Sequence, residues 1–197
     1  MKEKEENILL AAIGLFSEKG FAATTTSEIA KKAGVSEGTI FRYFSTKKDI
    51  LFALPHYVSK LELSTRLLER IGEVQDLTLE NFLRAIIRNR NAFAANHIKM
   101  LRVLLQESTY HPELISMMKE TVFAPVKQKI REAVEQFKAR GELPDWPIGI
   151  IVSLLVSAVL GHMFVRHFLK LDLGWDQVDE TEPLVQFIKN GFCAKGE

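Results

Sequence analysis

Between Ser36 and Tyr43 the chain reads S-E-G-T-I-F-R-Y, which gathers hydroxyls, an acid, a guanidinium and a phenol into one short run. Side chains of these types hydrogen-bond to the edges of bases and to phosphate oxygens. Arg42 can reach a guanine or a phosphate, Thr39 either one, and Tyr43 can donate its hydroxyl to a phosphate. Such contacts require a shared outward face. Ile40 and Phe44, four apart, supply the opposite, buried side of a short helix. Ser36 is a good N-cap for that helix, and Glu37, Gly38 and Thr39 form its first turn. Gly38 weakens a helix by up to about 1 kcal/mol, and close approach of the backbone to a duplex is a reason to keep it. Glu37 has two readings: it accepts from a cytosine amino group, or it is a solvated charge resting on the helix dipole.

The elements that must hold this strip are legible upstream. Thr25 and Glu28 form a T-x-x-E capping box, so a helix starts there. Ile29, Ala30 and Ala33 give it a narrow apolar stripe, and Gly34 sits where a left-handed residue stops it. Two short helices joined through a glycine turn are the helix-turn-helix plan, whose second helix enters the major groove. Before them, residues 4–19 read as a helix with Ile8 or Leu9, Ala12, Ile13 and Phe16 inward, Glu3, Glu5 and Glu6 near its start, Lys19 in its last turn and Gly20 after it.

In full, Phe16-x3-Gly20-Phe21-x2-Thr24-Thr25-x3-Ile29-Ala30-x2-Ala33-Gly34-Val35-Ser36-x-Gly38-Thr39-Ile40-Phe41-x-Tyr43-Phe44-x2-Lys47 resembles the DNA-binding domain of the TetR/AcrR family of bacterial transcriptional regulators. The resemblance covers about the first quarter of the chain. It implies that Phe41 lies at the DNA surface, where a tyrosine is common, and that Thr26 and Lys47 meet phosphate; a helix cap and a surface lysine are the plainer alternatives. It also implies a larger helical domain for ligand binding and dimerisation. The expected fold is therefore all-α with about nine helices: a three-helix DNA-binding domain over 1–48 and a helical effector and dimerisation domain over 49–197.

Composition sets the bounds. The 197 residues are 47% hydrophobic and 26% charged, as in an ordinary globular chain. A single cysteine, Cys193, excludes an internal disulfide and fits a reducing cytoplasm. The start lacks the apolar segment and cleavage site of a signal peptide. Through Asp49 there are eight basic residues against seven acidic ones. Phosphate contact must then depend on placement rather than a polybasic patch, and the salt slope of binding should be a few counterions per subunit. No metal is expected, because His162 and His167 are five apart and diverge around a helix. Neither is a cofactor or an enzyme activity, since G-x-S-x-G, P-loop and G-x-G-x-x-G motifs are all missing.

Beyond the motif, a helix from Ser45 or Thr46 is expected to run to about Arg70, kinked near Leu51–Leu54 by Pro55. Helices follow over 78–95 and 96–107. A long segment from Pro112 to Arg140 is interrupted at Pro125 and ended by Gly141. An apolar helix spans 147–169, and a last helix spans 181–190, with Gly191 ending it. The run Pro147–Val165 carries no formal charge and is near the length of a membrane span. Ser153, Ser157 and His162 interrupt it, however, and it reads as a helix buried on most sides. One broad face can enter its own core while the rest needs a partner. With 181–190 it suggests a homodimer built as a four-helix bundle, the arrangement the family resemblance also implies. Phe82, Phe93, Met117, Trp146 and His162 are the candidate lining of an effector cavity of the kind the resemblance implies, for a lipophilic or weakly polar ligand. The functional expectation is a cytoplasmic repressor that binds a palindromic operator on double-stranded DNA and is released by a small molecule. An activator or effector-independent DNA-binding protein is the alternative, and an all-helical enzyme is a remote one.

Overall fold

The computed structural model describes residues 3–61, 78–169, 171, 174 and 178–192. Among these it is all-helical. The described residues fall into two compact units, one from 3–61 with 97–123, the other from 78–96 with the described part of 124–192.

In the first unit, α1 (Glu3–Lys19), α2 (Thr26–Ala33) and α3 (Glu37–Tyr43) enclose a small core. Ile8, Ala12, Ile29 and Ile40 are fully buried, and Phe16 and Phe44 nearly so. Phe21 closes this core edge-on against Phe16, with ring centroids 5.2 Å apart. The chain then runs through α4 (Lys47–Phe52) and α5 (Leu54–Lys60). The kink expected ahead of Pro55 is a break at Ala53, and Pro55 sits in the first turn of α5, where its missing N–H costs nothing. The continuation expected to Arg70 lies outside the described residues.

The helices expected over 78–95 and 96–107 form one run, α6 (Leu79–Glu107), that loses helical geometry at His97 (φ −123°, ψ 20°). The division between the two units falls at this same residue. After a turn, α7 (Glu113–Met118) widens into a π-helical turn at Lys119–Phe123 before α8 (Ala124–Ala139). The interruption expected at Pro125 is this π-turn, which accommodates the hydrogen bond the proline cannot donate. Gly141 follows with φ 73°, a conformation that only glycine adopts cheaply.

In the second unit, α9 (Ile148–Met163) passes into a second π-turn, Phe164–Leu169, and α10 spans Thr181–Phe192. Gly191 does not end the last helix. Phe192 continues it, buried to 7% exposure against the Trp146 ring, and tertiary packing overrides the glycine. Nor is the apolar helix buried on most sides. Ile151, Leu155, Val159 and Met163 face the core, but Ile150, Leu154, Leu160 and Phe164 are each more than 40% exposed. By length and composition Ile148–Leu169 could cross a membrane. Charged pairs tie α6 to α10: Arg84 binds Glu182 and Glu80, and Lys189 reaches Glu80 at 3.1 Å.

Candidate nucleic-acid interface

The recognition unit is assembled by caps. The Thr25 backbone N–H donates to the Glu28 carboxylate (2.9 Å), and the Glu28 N–H donates to Thr25 Oγ1 (3.2 Å), closing the capping box. Lys19 reaches the same carboxylate from the end of α1. That ion pair, with the bonds from Thr25, holds the Glu28 carboxyl down at about 2. Gly34, at φ 67°, ends α2 in the left-handed conformation, and the Val35 N–H donates to the Ala30 carbonyl. Two residues later Ser36 Oγ accepts from the Thr39 N–H at 3.2 Å and starts α3.

This packing fixes the orientation of α3. Ile40 is wholly buried and Phe44 is 6% exposed, so the helix is anchored along one side. Ser36, Glu37, Gly38, Phe41 and Arg42 are exposed, and Thr39 and Tyr43 are half-buried. Phe41, at 51% exposure, is a large apolar ring in open solvent. A Cβ built on Gly38 meets nothing within 4 Å, so no internal packing calls for a glycine there. The Arg42 guanidinium stacks 5.3 Å from the centre of the Tyr43 ring, which pre-orients both groups at one end of the strip.

Three features were not legible in advance. The Thr26 hydroxyl donates to the Glu37 carboxylate and links the first turns of α2 and α3. The Lys47 ammonium turns inward, to the carbonyls of Phe21 (2.8 Å), Ala22 (3.2 Å) and Thr24 (2.7 Å). His111, from the turn after α6, stands edge-on to both Phe21 and Phe52 at 5.6 and 5.9 Å, and Lys48 pairs with Glu113 beside it. These contacts join residues far apart in the chain, and no local periodicity announces them.

The residues expected to line an effector cavity have separate surroundings. Phe82 is 2% exposed and packs on Phe137 in the core, with centroids 5.2 Å apart. Trp146 lies on Phe192, and His162 contacts Glu180, which Arg166 also reaches. Burial and the neighbouring Arg166 push the His162 pKa down. Phe93 is half-buried, and Met117 belongs to the first unit. Among the described residues no cluster of three or more metal-ligating side chains occurs.

A capped helix, a left-handed glycine and a second helix with a buried back and a polar front define a helix-turn-helix protein. The sequence profile described as "Bacterial regulatory proteins, tetR family" matches residues 8–54. The HTH-type transcriptional regulator YerO of Bacillus subtilis is 44% identical over 57 residues, 29% of this chain and 20% of that protein. The chain thus spans only a fifth of that relative's length. The nucleoid occlusion factor SlmA of Glaesserella parasuis is 26% identical over 191 residues, covering 96% of this chain and 92% of that one. Among solved structures, FadR from Bacillus subtilis in complex with stearoyl-CoA superposes with a TM-score of 0.72 at 22% identity, over 95% of this chain and 99% of that one. Residues 8–54 thus match the helix-turn-helix DNA-binding domain of the TetR family of bacterial regulatory proteins.

Proposed function

We propose that this protein is a cytoplasmic repressor that binds a palindromic operator as a homodimer and leaves it when a lipophilic small molecule binds. The observation that carries the DNA-binding half is the exposed front of α3, anchored from behind by Ile40 and Phe44. On this reading Gly38 and Thr39 meet base edges, Arg42 a guanine or a phosphate, Tyr43 a phosphate and Phe41 a thymine methyl. Ser36 and Thr26 lie beside the backbone of the duplex. In this structure Glu37 holds the hydroxyl of Thr26, so Thr26 reaches a phosphate only by leaving that carboxylate.

The dimer reading rests on the uncovered apolar side of α9. Ile150, Leu154, Leu160 and Phe164 are exposed there, as is Phe187 on α10 at 70%. Ser153, Ser157 and Gly161 lie on exposed positions of the same helix, and a Cβ on Gly161 would meet nothing, so a second helix can approach closely. A membrane would also cover these side chains. A second copy accounts in addition for two recognition helices spaced one helical turn apart, about 34 Å, as a palindrome requires.

For the effector, the fold likeness to FadR, which was solved with stearoyl-CoA, makes a long-chain acyl thioester the first compound to try. Selection of duplexes from a randomised pool tests the first half of the proposal, and an inverted repeat is the expected product. Adding acyl-CoAs of graded length to the selected complex tests the second. Undiminished binding at every length removes the acyl reading. A pool that yields no consensus removes the operator reading.

A further inference from the structure

Lys47 is the cation that the family resemblance assigns to a phosphate, yet its surroundings are internal. An ammonium carries three N–H bonds in a tetrahedral spread. Three carbonyl oxygens, those of Phe21, Ala22 and Thr24, meet it at 2.8, 3.2 and 2.7 Å. Nζ also sits 4.5 Å from the centroid of the Phe21 ring. The side chain is half-buried, and desolvation pushes the pKa of its ammonium down. The same short segment is held from its other side by Thr24, which is 1% exposed and donates its hydroxyl to the Gly20 carbonyl at 2.8 Å.

We propose that Lys47 is a positioning residue for operator recognition: it ties segment 21–24 to the start of α4 and does not spend its charge on phosphate. The proposal rests on the DNA-binding reading above. Segment 21–24 delivers the chain to the Thr25 cap, the cap fixes where α2 begins, and α2 carries α3 through the Gly34 turn. Carbonyls outside a helix need donors, and Lys47 supplies them from the first turn of α4, more than twenty residues further along the chain. To reach a phosphate it would have to surrender three charge-assisted bonds and its place on the Phe21 ring. With Lys47 removed, the segment keeps its backbone but loses its fixed end, and the recognition face is no longer held in register with the groove.

Salt dependence and a conservative replacement separate the two roles. The full-length protein is compared with Lys47→Met and Lys47→Arg, by fluorescence anisotropy on the duplex that the wild type selects. Measurements run over a KCl series below each variant's melting temperature. A phosphate contact predicts that Lys47→Met lowers the slope of log K against log salt by about 0.9 per subunit. It also predicts that Lys47→Arg binds like wild type, because a guanidinium forks well onto phosphate. The positioning role predicts that both variants lose affinity by about tenfold or more with the slope unchanged, because a planar fork cannot converge on three carbonyls. A reduced slope, rescue by arginine, or full affinity in Lys47→Met would each overturn the proposal.

A measurement on the wild type alone covers the case in which the variants melt. The Lys47 ammonium signal in nitrogen-15 NMR should be slow to exchange in the free protein and should stay in place when duplex is added. A fast-exchanging signal, or one that moves on binding, would overturn the proposal. If the wild type selects no duplex, the DNA-binding reading itself fails, and the free-protein signal then reports separately on the internal tie.

Discussion

Replacing Gly38 with alanine should strengthen the protein and weaken its binding to DNA, and the opposite signs make the test informative. The stability side follows from the free chain. Gly38 lies in the first turn of α3 without a positive φ, and its added methyl meets no atom within 4 Å. The substitution therefore gains helix propensity without a steric penalty, about 0.5–1 kcal/mol. For a chain of this size that raises Tm by roughly 1–4 °C. The binding side follows from the proposed interface. A methyl on the surface that meets base edges removes the closest approach of the backbone. The cost should resemble that of one mismatched base pair, about 1–3 kcal/mol, or roughly 5- to 150-fold per half-site. Differential scanning calorimetry reads the first effect, and anisotropy on the selected duplex reads the second. A stabilised variant with undiminished affinity would refute the reasoning, because it would place Gly38 away from the DNA. A destabilised variant would refute the reading of α3 itself.

Thr25→Ala removes the capping hydroxyl of α2 and should cost about 1 kcal/mol, lowering Tm by a few degrees in the same calorimeter. The Glu28 carboxyl titrates at about 2 rather than its ordinary 4.5. Because its pKa is depressed on folding, its contribution is complete above 4.5 and is lost as the pH falls from there toward 2. Tm followed over that window should therefore drop less steeply in Glu28→Gln than in wild type, the two curves converging near pH 2. Leu154→Glu places a charge on the uncovered face of α9, where Leu154 is 45% exposed. Sedimentation at micromolar concentration should then show a monomer; a persistent dimer would move the interface elsewhere.

The first three helices were readable because each depends on signals a few residues long. Thr25 and Glu28 are three apart, Gly34 needs only its own φ, and Ile40 and Phe44 mark a face by spacing alone. The spread of 78–107 over two helices was also legible, since the break at His97 lies within two residues of the expected junction. What could not be read is association across the chain. Nothing local says that the segment after His97 joins the amino-terminal unit, or that His111 stands between Phe21 and Phe52. The reversal at Gly191 has the same cause, because the helix continues for a contact between Phe192 and Trp146, 46 residues away in sequence. Lys47 shows it most clearly at the site. A lysine opening a helix looks like a solvent-facing cation until the fold brings three carbonyls from segment 21–24 to it.

The central claim is that the outward side of α3 reads base pairs. Duplex selection repeated with Thr39→Ala and Arg42→Ala tests it most directly, because only groups that touch bases change which sequence is chosen. The wild type should select an inverted repeat, and at least one variant should lose preference at a defined position in each half-site while keeping the rest. Identical consensus sequences, with the same preference at every position for the wild type and both variants, would contradict it.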